Sequence, residues 1–321
     1  MTNDQQIGAA LERGQPLMDA VEPRVLDRLV SRRDALKRGA AGGASLAAML
    51  ATGSVPLALG ALANAAWAQA PTSVLGVLQF AYLLENLEAE FYKAALGTGS
   101  SVAVNAAFAP VRATLAPVEV QTFQQIAKHE IAHVELLRGL IAGAGATPAP
   151  FTPASFDFTG GNGAGDGPFA AATTDKAFLL AAAQAFEDTG VRAYKGQAGN
   201  LIADDVALET ALRIHSVEAR HAARIRRMRA AAGVQGVNFS GTITGAQSGI
   251  AGLPATGAAV VARVYEGEDN VTHAASTRAV DAAAAATGFG GAAAATEAFD
   301  EPLSYEQVVA IVAPFVVGNA P

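Results

Sequence analysis

From about Thr72 to Leu96 apolar side chains return at helical intervals, at Leu75, Leu78, Ala81, Leu84, Leu87 and Phe91. That spacing lays them along one side of an amphipathic helix. The run Gly97-Thr98-Gly99-Ser100-Ser101 ends it. A second helix starts near Pro117, because proline suits a first helical turn, and it reaches about Ala144. From Gly145 to Asp175 little is periodic and glycine, proline, threonine and phenylalanine dominate. A third helix begins after Thr173-Thr174, which can cap it, and ends near Gly196; a fourth starts at Asp204-Asp205 and ends around Gly233. The shorter links make the first and second helices, and the third and fourth, antiparallel neighbours. The long middle link, at roughly 3.3 Å per extended residue, can return along a bundle. The pattern predicts an all-α fold, a four-helix bundle with one long crossover.

The flanks read differently. Residues 234–300 carry Gly/Ala/Thr-rich segments, with Val260-Val261-Ala262-Arg263-Val264-Tyr265 open to a strand or a short helix. Ser304 and Gln307 form a capping box before the apolar segment Tyr305–Val312, which Pro314 closes. This tail, residues 234–321, is expected to wrap the bundle of residues 69–233 and dock a short last helix on it. Residues 1–68 look like an export signal: a charged region ending in Ser31-Arg32-Arg33-Asp34-Ala35-Leu36-Lys37-Arg38, an uncharged stretch from Gly39 to about Leu62, and cleavage candidates Ala63-Asn64-Ala65 and Ala66-Trp67-Ala68. The paired arginines resemble the twin-arginine type, with Ala35 where phenylalanine is usual. The apolar run is also long enough for a retained membrane anchor, although its glycines and the nearby cleavage sites favour removal. The implied location is the periplasm or the exterior.

Composition narrows the chemistry. A formal net charge of -7 leaves no basic excess for nucleic acid. The absence of cysteine rules out a disulfide framework, a zinc ribbon, an iron–sulfur cluster and a built-in rubredoxin-type domain.

The candidate chemistry lies in a repeat. Glu130-Ile131-Ala132-His133 on the second helix recurs as Glu218-Ala219-Arg220-His221 on the fourth. Residues three apart share a helix face, so each pair aims a carboxylate and an imidazole at one point. Upstream of each pair stands a helix with its own glutamate: Glu85 aligns with Glu187, Tyr92 with Tyr194, Lys93 with Lys195. The order Glu, Glu-x-x-His, Glu, Glu-x-x-His is that of di-iron and di-manganese carboxylate bundles. Carboxylate and imidazole suit iron or manganese, and four carboxylates balance two divalent ions. Glu130 and Glu218 could bridge two metals, with Glu85 and Glu187 terminal and His133 and His221 completing the shells.

Around this set the alternatives stay open. Glu88 shares the face of Glu85, but its counterpart is Gly190, so Glu85 is taken as the ligand and Glu88 as an auxiliary candidate. Its plainer reading, with Glu90 and Glu135, is a solvated helix surface. Tyr92 and Tyr194 are either core tyrosines or donors to a ligand of the opposite half. His129 is an auxiliary candidate or a satisfied, half-exposed histidine; His215 reads the same way, and His273 as solvated. The five arginines from Arg220 to Arg229 read as a salt-bridged helix end.

At these residues the chain resembles the secreted ferritin-like domain family of the desiccation-related type, within the ferritin and rubrerythrin superfamily. The resemblance covers the four helices and the Phe299-Asp300-Glu301-Pro302 tail, and all six ligand positions are filled. It implies a ferritin-like bundle with two metal ions, iron or manganese. The expected function is exported redox chemistry with oxygen or peroxide as small-molecule substrate, ferroxidase- or catalase-like, with an external electron donor. The partner for export is the twin-arginine machinery. The competing expectation is a non-catalytic envelope or stress-protection protein whose metal only stabilises the bundle. A homo-oligomer stays open, but the tail and the long loop would crowd the surfaces through which an iron-storing cage packs.

Overall fold

The computed structural model describes residues 70–275 and 278–318. The twin-arginine and cleavage region expected at residues 1–68 lies outside them. The bundle consists of α1 (Val74–Leu96), α4 (Pro117–Gly143), α5 (Lys176–Gln197) and α6 (Asp205–Ala231). Helix α1 packs along α4, and α5 along α6, the pairing expected from the link lengths. Two short helices, α2 (Val102–Ala107) and α3 (Ala109–Arg112), fill the first link.

The helix ends follow from capping. Ser73 accepts from Gly76 N at 3.1 Å to start α1, and Gly97, at φ 73°, closes it in the left-handed conformation that favours glycine. Asp204 accepts from Val206 N and Ala207 N to start α6. Helix α5 is capped by Asp175, which accepts from Phe178 N at 3.0 Å. Thr173 and Thr174, the caps expected from sequence, turn their hydroxyls back onto Ala170 and Ala171 carbonyls in a 3-10 turn and are spent there.

The long crossover is an ordered part of the core. Its Phe156, Phe158 and Phe169 are buried, and Phe158 lies 5.7 Å from Phe91, which also meets Phe186 at 5.1 Å. Asp157 holds the turn together by accepting from Thr159 N, Gly163 N and Gly165 N.

Beyond the bundle the chain continues through α7 (Ala255–Val264), the antiparallel hairpin β1 (Thr272–Ala275) and β2 (Arg278–Asp281), α8 (Ala282–Ala285), α9 (Gly291–Ala298) and α10 (Tyr305–Val312). The Val260–Tyr265 segment is thus helical up to Val264. The Ser304/Gln307 capping box forms as expected, and α10 buries Tyr305, Val308, Ile311 and Val312. The ring of Tyr305 stands 4.6 Å from that of Phe80 on α1.

Buried polar clamps hold this tail. Arg192, 1% exposed on α5, pairs with Glu268 at 2.8 Å and donates to the carbonyls of Val264, Glu266 and Glu301. Arg226 pairs with Asp188, and Arg229 donates to the carbonyls of Ser248 and Gly249. Both arginines are buried; Arg226 is salt-bridged, as expected of this helix end, while Arg229 is held by carbonyls of the tail. His273 is not simply solvated: it pairs with Glu301 at 3.2 Å, and its ring lies tilted 4.3 Å from that of Phe299.

Leu303 crosses α5 so closely that its carbonyl oxygen would stand 1.9 Å from a Cβ on Gly196. A Gly196→Ala variant must therefore displace the tail. We expect a loss of about 3 kcal/mol or more, read as a lower midpoint in urea. Gly199→Ala, where a Cβ would meet open space, should change the midpoint little.

Candidate metal centre

Four glutamates, Glu85, Glu130, Glu187 and Glu218, are each 0% exposed in the middle of the bundle. On α4 and α6 they and their histidines fall between two apolar clusters, one holding Phe123, Ile126 and Ile225, the other Leu137, Ile141, Ala211 and Ile214. The helical spacing that makes one stripe apolar thus places a polar layer within it.

The six residues expected from sequence come together in two groups that share Glu130 and Glu218. His133 Nδ1 lies 3.0 Å from Glu85 Oε2, 3.2 Å from Glu130 Oε2 and 3.1 Å from Glu218 Oε1. His221 Nδ1 lies 2.8 Å from Glu130 Oε1, 3.1 Å from Glu187 Oε2 and 3.9 Å from Glu218 Oε2. Glu130 and Glu218 therefore each turn one oxygen towards each histidine, while Glu85 and Glu187 belong to one group apiece.

This is a poor hydrogen-bond network and a good donor set. One ring nitrogen has a single proton to give, yet three carboxylates crowd each Nδ1. Oε1 of Glu130 and both carboxylate oxygens of Glu218 are buried without an aligned hydrogen bond. Such orphans cost free energy unless something else satisfies them. No lysine or arginine pairs with the four glutamates among the described residues, so at most two imidazolium charges face four carboxylates. Either group could hold a metal ion, and the oxygen and imidazole donors fit iron or manganese.

The proton affinities carry the same strain. Burial, opposed by hydrogen bonds from His133 and His221, pushes Glu130 up to about 7. Burial, with the charge of Glu130 next, holds Glu218 well above the carboxylate range. For His221, burial lowers the value, but Glu187 and Glu130 outweigh it and bring it to about 11. His133 is raised for the same reason, with Glu85 the main opposing charge.

Around the six, each tyrosine reaches the opposite half: the Tyr92 hydroxyl donates to Glu187 and that of Tyr194 to Glu85. His129 does not join either group. Its Nδ1 meets Nε2 of His221 at 2.8 Å and the two rings stack, so it braces the outer edge of that imidazole. Burial and the neighbouring histidines pull His129 down to about 4, which keeps it neutral and able to accept. His215 is satisfied by the Val191 carbonyl at 3.0 Å.

Glu88 corrects the sequence reading. It is 3% exposed, not on the solvated surface, and it occupies space opened by Gly190. A Cβ on Gly190 would stand 3.2 Å from Glu88 Oε1 and 3.3 Å from Glu218 Oε2. The signal was present in the sequence as the Glu88/Gly190 mismatch between otherwise matching helices. Glu90, by contrast, pairs with Lys93 near the surface, and Glu135 with Arg138 on it.

Residues 73–231 match the family model of the ferritin-like domain. This part of the chain is a ferritin-like domain. Its bounds run from the cap of α1 to the last residue of α6, so all six converging residues lie within it. No curated protein and no solved structure matches the chain. Among the described residues no helix is long and apolar enough to cross a membrane.

Proposed function

We propose that the ferritin-like domain holds two ions of iron or manganese and carries out redox chemistry with oxygen or a peroxide. The observation that carries this reading is the convergence of Glu130 and Glu218 on both histidine nitrogens, with no arginine or lysine among the described residues to neutralise them. Glu85 and His133 would hold one ion, Glu187 and His221 the other, with Glu130 and Glu218 between. The metal pair, when bound, supplies Lewis acidity and reversible one-electron changes at each ion.

The chain's own residues do the rest. Tyr92 and Tyr194 fix the terminal carboxylates by hydrogen bonds. With Nδ1 of His221 turned inward, its Nε2 proton points at His129, which sets ring and tautomer. The two apolar clusters keep bulk water from the polar layer. Without cysteine the chain has no thiolate-bound redox centre of its own, so a reducing electron would come from an external donor. Export by the twin-arginine route, and kinship with the secreted desiccation-related branch, belong to the same proposal, since that route carries folded and metal-loaded proteins.

The test is to load the protein anaerobically with ferrous or manganous ion and mix it with air-saturated buffer or with hydrogen peroxide. Metal oxidation or peroxide loss, absent from Glu130→Ala/Glu218→Ala, is the expected result. Two tightly held ions that react with neither oxidant would overturn the redox reading and leave a structural metal.

A further inference from the structure

The two halves of the site differ beside their tyrosines. Phe91 precedes Tyr92, whereas Ala193 precedes Tyr194; seven residues before Glu130 stands Phe123, and seven before Glu218 stands Ala211. Around Tyr92 the two phenylalanine rings close the space, at 5.3 and 5.1 Å from its own ring. Around Tyr194 two alanines stand in their places, and there a cavity opens.

The cavity lies in the layer next to the metal centre. Ala81 lines it one turn before Glu85, Leu137 one turn after His133, and Ala211 two turns before Glu218. Tyr194 forms part of its wall while donating to Glu85, so one side chain touches both cavity and centre. About 20 Å³ is open in it to the centre of a water-sized sphere, enough for one very small molecule. Every residue that lines it is buried, and the surface turned to it is almost wholly apolar. Of its polar side chains, the Tyr194 hydroxyl is spent on Glu85, and Gln197 Oε1 accepts from Asn200. A buried water needs roughly two to four polar partners, and an apolar cavity stays dry and takes apolar guests. Hydrogen peroxide, a hydrogen-bonding molecule like water, would leave its partners behind on entering. Dioxygen has none to lose.

We propose that this cavity is a holding site for dioxygen beside the metal centre. The proposal rests on the di-metal reading above and deepens it: of the two oxidants, the chain is built to gather the apolar one.

The first arm of the test needs no metal. Methyl proton relaxation in the full chain is compared under nitrogen and under pressurised oxygen, whose paramagnetism speeds relaxation of nuclei close to it. The methyls of Ala81, Leu137 and Ala211 should gain several times more than those of Ile126 and Ile225 in the other apolar cluster. Ala211→Val, which returns bulk to the cavity, should lose that excess. Loaded with ferrous ion and still holding two ions by elemental analysis, it should react with limiting oxygen about tenfold more slowly, as closing a methyl-sized space predicts. Ala81→Val fills the same cavity from α1 and serves if the first variant does not fold. Equal relaxation in both clusters overturns the holding site and leaves the di-metal reading standing. Excess relaxation with an unchanged oxidation rate in the filled variant overturns its service to the centre, and the proposal with it. A wild-type protein that binds no iron overturns the di-metal reading itself, and elemental analysis shows that separately from either oxygen measurement.

Discussion

The metal-free protein is expected to melt at a lower temperature as pH rises from about 5 to 8, and the metal-loaded protein at a higher one. Glu130, at about 7 in the folded chain against an ordinary 4.5, holds its proton more tightly folded than unfolded. Its contribution is therefore fully present below about 4.5 and lost as pH rises through about 7. Glu218 and Glu88 are raised by burial and act in the same direction. His221 is raised from 6.5 to about 11, so its contribution is present below 6.5 and declines only as pH climbs towards 11. Glu85 and His129 run the other way. Glu85 is lowered despite burial, chiefly by His133, so its contribution is lost as pH falls. Burial, with His221 beside it, lowers His129 from 6.5 to about 4, so its contribution is present above 6.5 and lost as pH falls towards 4. The balance favours the protonated, metal-free fold at mildly acid pH.

Metal reverses the slope because it competes with protons for the same oxygens and nitrogens. A loss of about 2 kcal/mol across this range would lower the melting temperature of the metal-free protein by roughly 4–8 °C. At a thousandfold excess over its dissociation constant, metal would add about 4 kcal/mol. Differential scanning calorimetry with chelator and with manganous ion, at pH 5, 6.5 and 8, reads both slopes. Parallel slopes would contradict a shared site for protons and metal.

Replacing Glu130 and Glu218 together by alanine is expected to abolish binding of both ions while leaving the bundle folded. Each of these carboxylates serves both groups, so their loss removes two of four donors from each. Changing a residue that only orients a ligand costs about 10- to 100-fold in affinity; losing both shared ligands should exceed that. The variant should also melt no lower than metal-free wild type at pH 8, because it lacks two of the carboxylates that repel there. A variant that lost metal only by unfolding would fail that comparison, made by circular dichroism.

The main features of the bundle are legible in the sequence because helical periodicity and capping are local. Pro117, Asp204 and the Ser304/Gln307 box mark ends that the structure keeps. The six converging residues were legible for a related reason: Glu-x-x-His occurs twice, and a repeat fixes a face without knowledge of the partner helix. What local pattern could not tell was burial decided by distant chain. Glu88 looks like a surface glutamate until Gly190 is known to lie opposite. Arg192 and Arg226 look like ordinary helix cations until the tail's carbonyls and Asp188 close over them. Phe156, Phe158 and Phe169 sit in a stretch without periodicity, so nothing in the local pattern shows that the crossover packs as core. The hairpin of β1 and β2 escaped for the same reason, four residues per strand being too few to show alternation.

The most direct test of the central claim is elemental analysis of the protein purified without chelator or added metal, beside Glu130→Ala/Glu218→Ala. The account predicts close to two iron or manganese ions per chain in the wild type and none in the variant. A folded, thermally stable wild type with no bound metal, or metal retained by the variant, would contradict it.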